Sequence, residues 1–113
     1  MILINKTRGT LIADNIVLAN THLRRLLGLA GRKRLVAGCG MLISPSSGVH
    51  TIGMRFAIDV VALNKSQTVT KIWHRMQPFR MTNISFRTCS VLELAAGEAD
   101  RLQIEVGDRL DVA

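Results

Sequence analysis

Apolar positions along this chain come in short runs separated by polar turns. Residues 1–5 form one run, closed by Asn5-Lys6-Thr7-Arg8-Gly9, and residues 10–13 and 16–19 form two more around Asp14-Asn15. Three strands so close together predict the start of a β-meander. The period then changes. Leu23, Leu26, Leu27 and Ala30 fall at i, i+3, i+4 and i+7, which predicts a helix with Thr21 as its N-cap and Gly31 as its terminator. Residues 38–43 read as a strand opened by glycines, and Ser44-Pro45-Ser46-Ser47-Gly48 reads as a turn. Residues 57–63 are the longest apolar run, with one carboxylate set inside it, and predict a buried central strand. Residues 68–73 alternate as an outer strand does, with Lys71 discouraging edge pairing. Residues 74–90 show no period and predict a long loop, a feature often tied to function. A strand over 91–94, a helix over 97–104 and a last strand over 109–112 complete the chain.

These elements predict a mainly β (α+β) fold: one domain over residues 1–113, with one or two short helices. A single compact barrel-like sheet is the simplest way to hide so many strand edges.

Two positions break the pattern. Alternation places Asp59 with Val61 and Leu63 on an apolar face. A carboxylate there must be paired, hydrogen-bonded or protonated, because an unpartnered buried charge costs several kcal/mol. It is either a site carboxylate or a structural acid accepting backbone N–H bonds. Just before it, His50, Thr51, Met54 and Arg55 gather polar and convertible groups around Gly53. His50 with Asp59 is the candidate acid–base pair, although a histidine packed at a strand end is the commoner arrangement.

Charge changes the picture modestly. Residues 1–90 carry 13 Lys/Arg against two acids, whereas residues 91–113 carry two Arg against six acids. The simplest consequence is mutual neutralisation within the fold. Trp73, Phe79 and Phe86 interleave with Lys71, Arg75, Arg80 and Arg87, a pattern compatible with nucleic acid. Anchoring of the loop to the core is the favoured role for those aromatics, so nucleic acid is not the favoured partner. His22, His50 and His74 are widely spaced and no Cys-x-x-Cys occurs, so no metal site is expected, and no cofactor motif is present. Cys39 and Cys89 read as reduced thiols in a soluble cytoplasmic protein without a signal peptide. No apolar run approaches a membrane span.

Taken in order, several blocks resemble the family known as domain of unknown function 192. They are Leu27-Gly28-Leu29 with Arg32, Gly40-Met41-Leu42, His50-Thr51-x-Gly53-Met54-Arg55-Phe56-x-Ile58-Asp59, Pro78, Val91-Leu92-Glu93-Leu94-x-x-Gly97 and Val106-Gly107-Asp108. The resemblance runs from about Leu26 to Val112, and the central block is its most specific part. It implies a compact β fold and carries no established activity. It marks His50, Thr51, Met54, Arg55 and Asp59 as signature positions, with Glu93 beside them. Ala57 stands where the family usually has proline, and Gly38 and Cys39 stand where many members are polar or acidic. Many members also have an export signal, which is not expected here.

The residues and the resemblance together predict a domain binding a small or extended ligand in a cleft around His50, Arg55 and Asp59. Arg55 would pair an anionic group, with His50 and Thr51 giving hydrogen bonds. The alternatives are a hydrolase or lyase-type enzyme using the His50–Asp59 pair, or a basic surface for nucleic acid or an acidic protein.

Overall fold

Alternating apolar runs do become strands. The computed structural model describes residues 1–19, 35–48, 56–83 and 85–113. Its elements are β1 (Leu3–Asn5), β2 (Thr10–Ala13), β3 (Asn15–Ala19), β4 (Cys39–Ile43), β5 (Ile58–Leu63), β6 (Val69–Met76), β7 (Ser90–Ala95), α1 (Glu98–Arg101) and β8 (Leu110–Val112). The helix expected over residues 23–30, and the basic Arg32-Lys33-Arg34 after it, lie outside the described residues.

The fold is mainly β, and its strands form two sheets rather than one closed barrel. One sheet has the order β2-β1-β8 and the other β3-β4-β7-β5-β6. The expected meander stops after β2. Only Asp14 separates β2 from β3, and one residue is too short for a hairpin turn. β3 therefore passes on into the larger sheet, where it pairs in parallel with β4. The two sheets meet at two seams. Met1 and Ile16 exchange backbone hydrogen bonds at one, and Thr68 bridges Arg109 at the other.

Strand directions in the larger sheet explain its long connections. β7 is antiparallel to both β4 and β5, and β5 is antiparallel to both β6 and β7. The pairs β3/β4, β4/β5 and β6/β7 therefore each run in the same direction. Each connection must return along the length of the sheet, which takes a dozen or more residues. The loop after β6 is thus required by topology.

Each face of the larger sheet has its own apolar cluster. On one face Ile16, Val61, Leu63, Leu92 and Leu94 pack against Leu3, Ile12 and Leu110 of the smaller sheet. On the other face Met41, Ile43, Ile58, Val60, Met76 and Val91 form a second cluster. Leu35 and Phe56 pack against this second cluster. These are the residues at which the described chain resumes after 20–34 and 49–55. Close approach of β4 to β7 requires Gly40, since a Cβ there would lie 2.7 Å from the Glu93 carbonyl oxygen.

Two boundaries differ from expectation. β6 continues past Trp73 to Met76, with His74 and Arg75 both set against the single residue Asp59. This is a β-bulge, and Arg75 takes the left-handed φ of 50°. The helix expected to reach Ile104 ends at Arg101, and Gln103 at φ 55° turns the chain away.

Candidate functional site

Asp59 is fully buried on the face toward the smaller sheet, in register with Leu94. Both of its oxygens are used. Oδ1 accepts the Arg75 backbone N–H at 2.8 Å, and Oδ2 accepts the Ala99 backbone N–H at 2.8 Å. The first donor is freed by the bulge in β6. The second is a first-turn N–H of α1, whose cap residue Gly97 supplies no side-chain oxygen. Asp59 therefore joins a strand irregularity to a helix start, filling the cap position from another element.

Glu93 sits in β7, the middle strand of the same sheet, and points to the opposite face. Its neighbours in register are Met41 on β4 and Val60 on β5, and Val60 in turn faces Trp73 on β6. Those residues belong to the second apolar cluster or pack against it. Glu93 is 3% exposed, and its Oε2 has no hydrogen-bond partner among the described residues. Burial disfavours the charged form and pushes the carboxyl up from the ordinary 4.5 to about 7. A carboxyl titrating near neutrality can hold or release a proton, or accept a donor from a ligand, with little added cost.

The structure thus separates two of the residues named from sequence, placing Asp59 and Glu93 on opposite faces. His50, Thr51, Met54 and Arg55 lie outside the described residues, and with them the histidine of the expected His50–Asp59 pair. The described chain resumes directly after them at Phe56, on the Glu93 face. No group of three or more His, Cys, Asp or Glu positioned for a metal ion occurs among the described residues. Cys39 and Cys89 are free and lie toward opposite ends of the β4–β7 pair, Cys39 opening β4 and Cys89 preceding β7.

A third buried acid, Asp108, is not singled out chemically by sequence reasoning. Its Oδ2 accepts hydrogen bonds from Asn5 Nδ2 at 2.8 Å, Arg8 Nε at 2.8 Å and the Glu105 backbone N–H at 3.0 Å. Burial alone would raise its pKa. The Arg8 guanidinium, the Asn5 amide and the Glu105 N–H outweigh that and hold it below the usual carboxylate value. The signal available in the sequence was its place in the Gly107-Asp108 turn.

Anchoring of the long loop by its aromatics is not what is found. Phe79 is 72% exposed and Phe86 fully exposed, while Trp73 packs partly against the second cluster. A cavity of about 400 Å³ lined by Pro45, Ser46, Ser47, Thr88 and Cys89 opens where that loop meets the turn after β4.

Comparison with known proteins gives a consistent result. The family described as domain of unknown function 192, an uncharacterized ACR, matches residues 3–112. The UPF0127 protein of Pyrococcus furiosus is 32% identical over 117 residues, covering 96% of each chain. A UPF0127 protein of Thermococcus sibiricus is 29% identical over 114 residues, covering 96% of this chain and 73% of its own. Among solved structures, a protein of unknown function from Novosphingobium aromaticivorans has a TM-score of 0.85 at 23% identity, covering 98% of this chain and 83% of that one. A Sinorhizobium meliloti protein described as a candidate transcription regulator has a TM-score of 0.79 at 26% identity, covering 97% and 89%. The fold is shared across all of this chain's sheets, and none of these names assigns a ligand.

Proposed function

Since the chain belongs to the domain of unknown function 192 family, whose members bring no established activity, we propose a function from its own buried acid: it is a ligand-binding domain with Glu93 at the floor of the site. The site lies on the face of the five-stranded sheet that carries Phe56. His50, Thr51, Met54 and Arg55, in the segment running into Phe56, supply the remaining contacts. Arg55 pairs an anionic group of the ligand, and His50 and Thr51 add hydrogen bonds. Asp59 holds the opposite side of the sheet in place and does not touch the ligand.

The observation carrying this reading is the Glu93 carboxyl, buried in the middle of an apolar face with Oε2 unpartnered among the described residues. Core positions of this kind are cheaper to fill with an apolar side chain. A carboxyl kept there at a cost to stability is the expected signature of a binding group. Free thiols at Cys39 and Cys89 suit a reducing compartment, and we place the domain in the cytoplasm. Among the described residues, no helix is long and apolar enough to cross a membrane.

The test is a thermal-shift screen of amino acids and small carboxylates against the wild-type chain, Glu93→Gln and Arg55→Ala. A ligand that binds only the folded state raises the wild-type Tm. The expected hit loses its shift in both variants. Hits that shift Glu93→Gln as much as wild type would sink the assignment.

A further inference from the structure

We propose that residues 77–83 and 85–89 of the connection after β6 form a docking surface for single-stranded nucleic acid, with bases stacking on Phe79 and Phe86. This goes beyond the Glu93 site and rests on different residues. Topology explains why the connection is long, since β6 and β7 run in the same direction on either side of β5. It does not explain what the connection displays. Phe79, Met81 and Phe86 are 72%, 70% and 104% exposed. Two phenyl rings held in water within one loop are an unmet apolar surface. Phe79 also sits at φ 62°, a left-handed conformation that a bulky side chain adopts only under strain. Strain of this type is concentrated at functional positions.

Charge selects the occupant. No Asp or Glu lies between Asp59 and Glu93, a stretch holding Lys65, Lys71, Arg80 and Arg87 besides Arg75, which pairs with Asp100. Arg80 and Arg87 follow the two phenylalanines directly in sequence. A partner must therefore be anionic and must offer flat apolar faces to the rings. Single-stranded nucleic acid offers both, with phosphates for guanidinium groups and unpaired bases for aromatic side chains. Duplex bases are already stacked on one another, so a duplex offers the charge alone. An anionic bilayer fits less well. Its acyl chains offer no flat face on which a phenyl ring can stack.

The experiment measures fluorescence anisotropy of labelled oligothymidylate and oligouridylate, roughly 16 nucleotides long, the upper site size of a single-strand module. Titrations use the whole chain at low and moderate salt. Binding is expected to weaken steeply with salt. The Phe79→Ala/Phe86→Ala double variant should bind about tenfold or more weakly with an unchanged Tm, because both side chains are exposed. Phe86→Trp should retain binding. Arg87→Gln should lower the slope of log affinity against log salt by about 0.7. The proposal is overturned by absent binding at low salt, by a double variant that binds like wild type, or by equal affinity for a duplex. Phenylalanine-dependent capture on phosphatidylglycerol vesicles without oligonucleotide binding would also overturn it, and would assign the loop to a membrane surface.

Discussion

Asp59 and Glu93 lie on neighbouring strands of one sheet, both are buried, and both interrupt an apolar run. Their chemical situations are opposite. On the Asp59 face the carboxylate meets two backbone N–H groups, one freed by a bulge and one by a helix start. On the Glu93 face β4, β7 and β5 pair in regular register and the neighbours in register are apolar, and Oε2 meets no donor among the described residues. Buried acids are thus sorted by the local irregularity of their surroundings. Where the backbone is broken, an acid repairs it. Where the backbone is complete, as around Glu93, an acid has no such gap to fill.

Breaking this comparison should be easiest at Asp59. Asp59→Ala leaves two backbone donors without their acceptor and should cost about 3–5 kcal/mol in urea unfolding. Asp59→Asn can satisfy only one of the two and should cost roughly half as much. Amide exchange at Ala99 and Arg75 should speed up in both variants. An Asp59→Asn chain as stable as wild type would remove the structural role given to this residue.

The Glu93 side of the comparison is tested by pH. Its folded pKa is raised, from 4.5 to about 7, so the folded state holds the proton more tightly than the unfolded state. Its contribution is complete below about 4.5, declines as pH rises, and is gone above about 7. The stability of wild type relative to Glu93→Gln should therefore fall by about 3 kcal/mol between pH 4 and pH 8. Parallel stability curves for the two proteins would show that the carboxyl is not held in an apolar setting.

Asp108 sharpens the rule from a third position, with the smallest effect. All three of its hydrogen bonds converge on Oδ2, so Asp108→Asn can keep them through one oxygen and loses only the charge. A cost of about 1–2 kcal/mol is expected. The pH sign is opposite to that of Glu93. With its pKa held low, Asp108 stabilises the fold at neutral pH and loses that contribution as pH falls through the depressed value. A difference between wild type and Asp108→Asn that widens toward acid would contradict this.

Strand positions were legible because alternation is local. Residues 57–63 and 91–94 differ from β5 and β7 by only one or two residues at their ends. The pairing of β3 with β4, and the crossing of β5 by the β6–β7 connection, depend on partners far along the chain, where no local pattern reports them. The same limit governs the acids. Asp59 and Glu93 give the same signal, one carboxylate among apolar residues. The donors that distinguish them stand 16 and 40 positions from Asp59. The exposure of Phe79 and Phe86 escapes the sequence for a related reason: apolar composition suggests burial, and only the course of the β6–β7 connection decides whether a ring reaches the core.

The pairing of β1 with β8 sets Leu3 opposite Val112, and Asn5 reaches Asp108 across 103 positions. On the ribosome, β1 is therefore made long before the strand that completes its sheet. Until residue 108 leaves the exit tunnel, the Asn5 turn lacks its carboxylate and the apolar side of β1 and β2 lacks Leu110. The smaller sheet therefore closes only after residues 108–112 have been made, and a chain cut before Asp108 should be handled by the cell as an unfinished one.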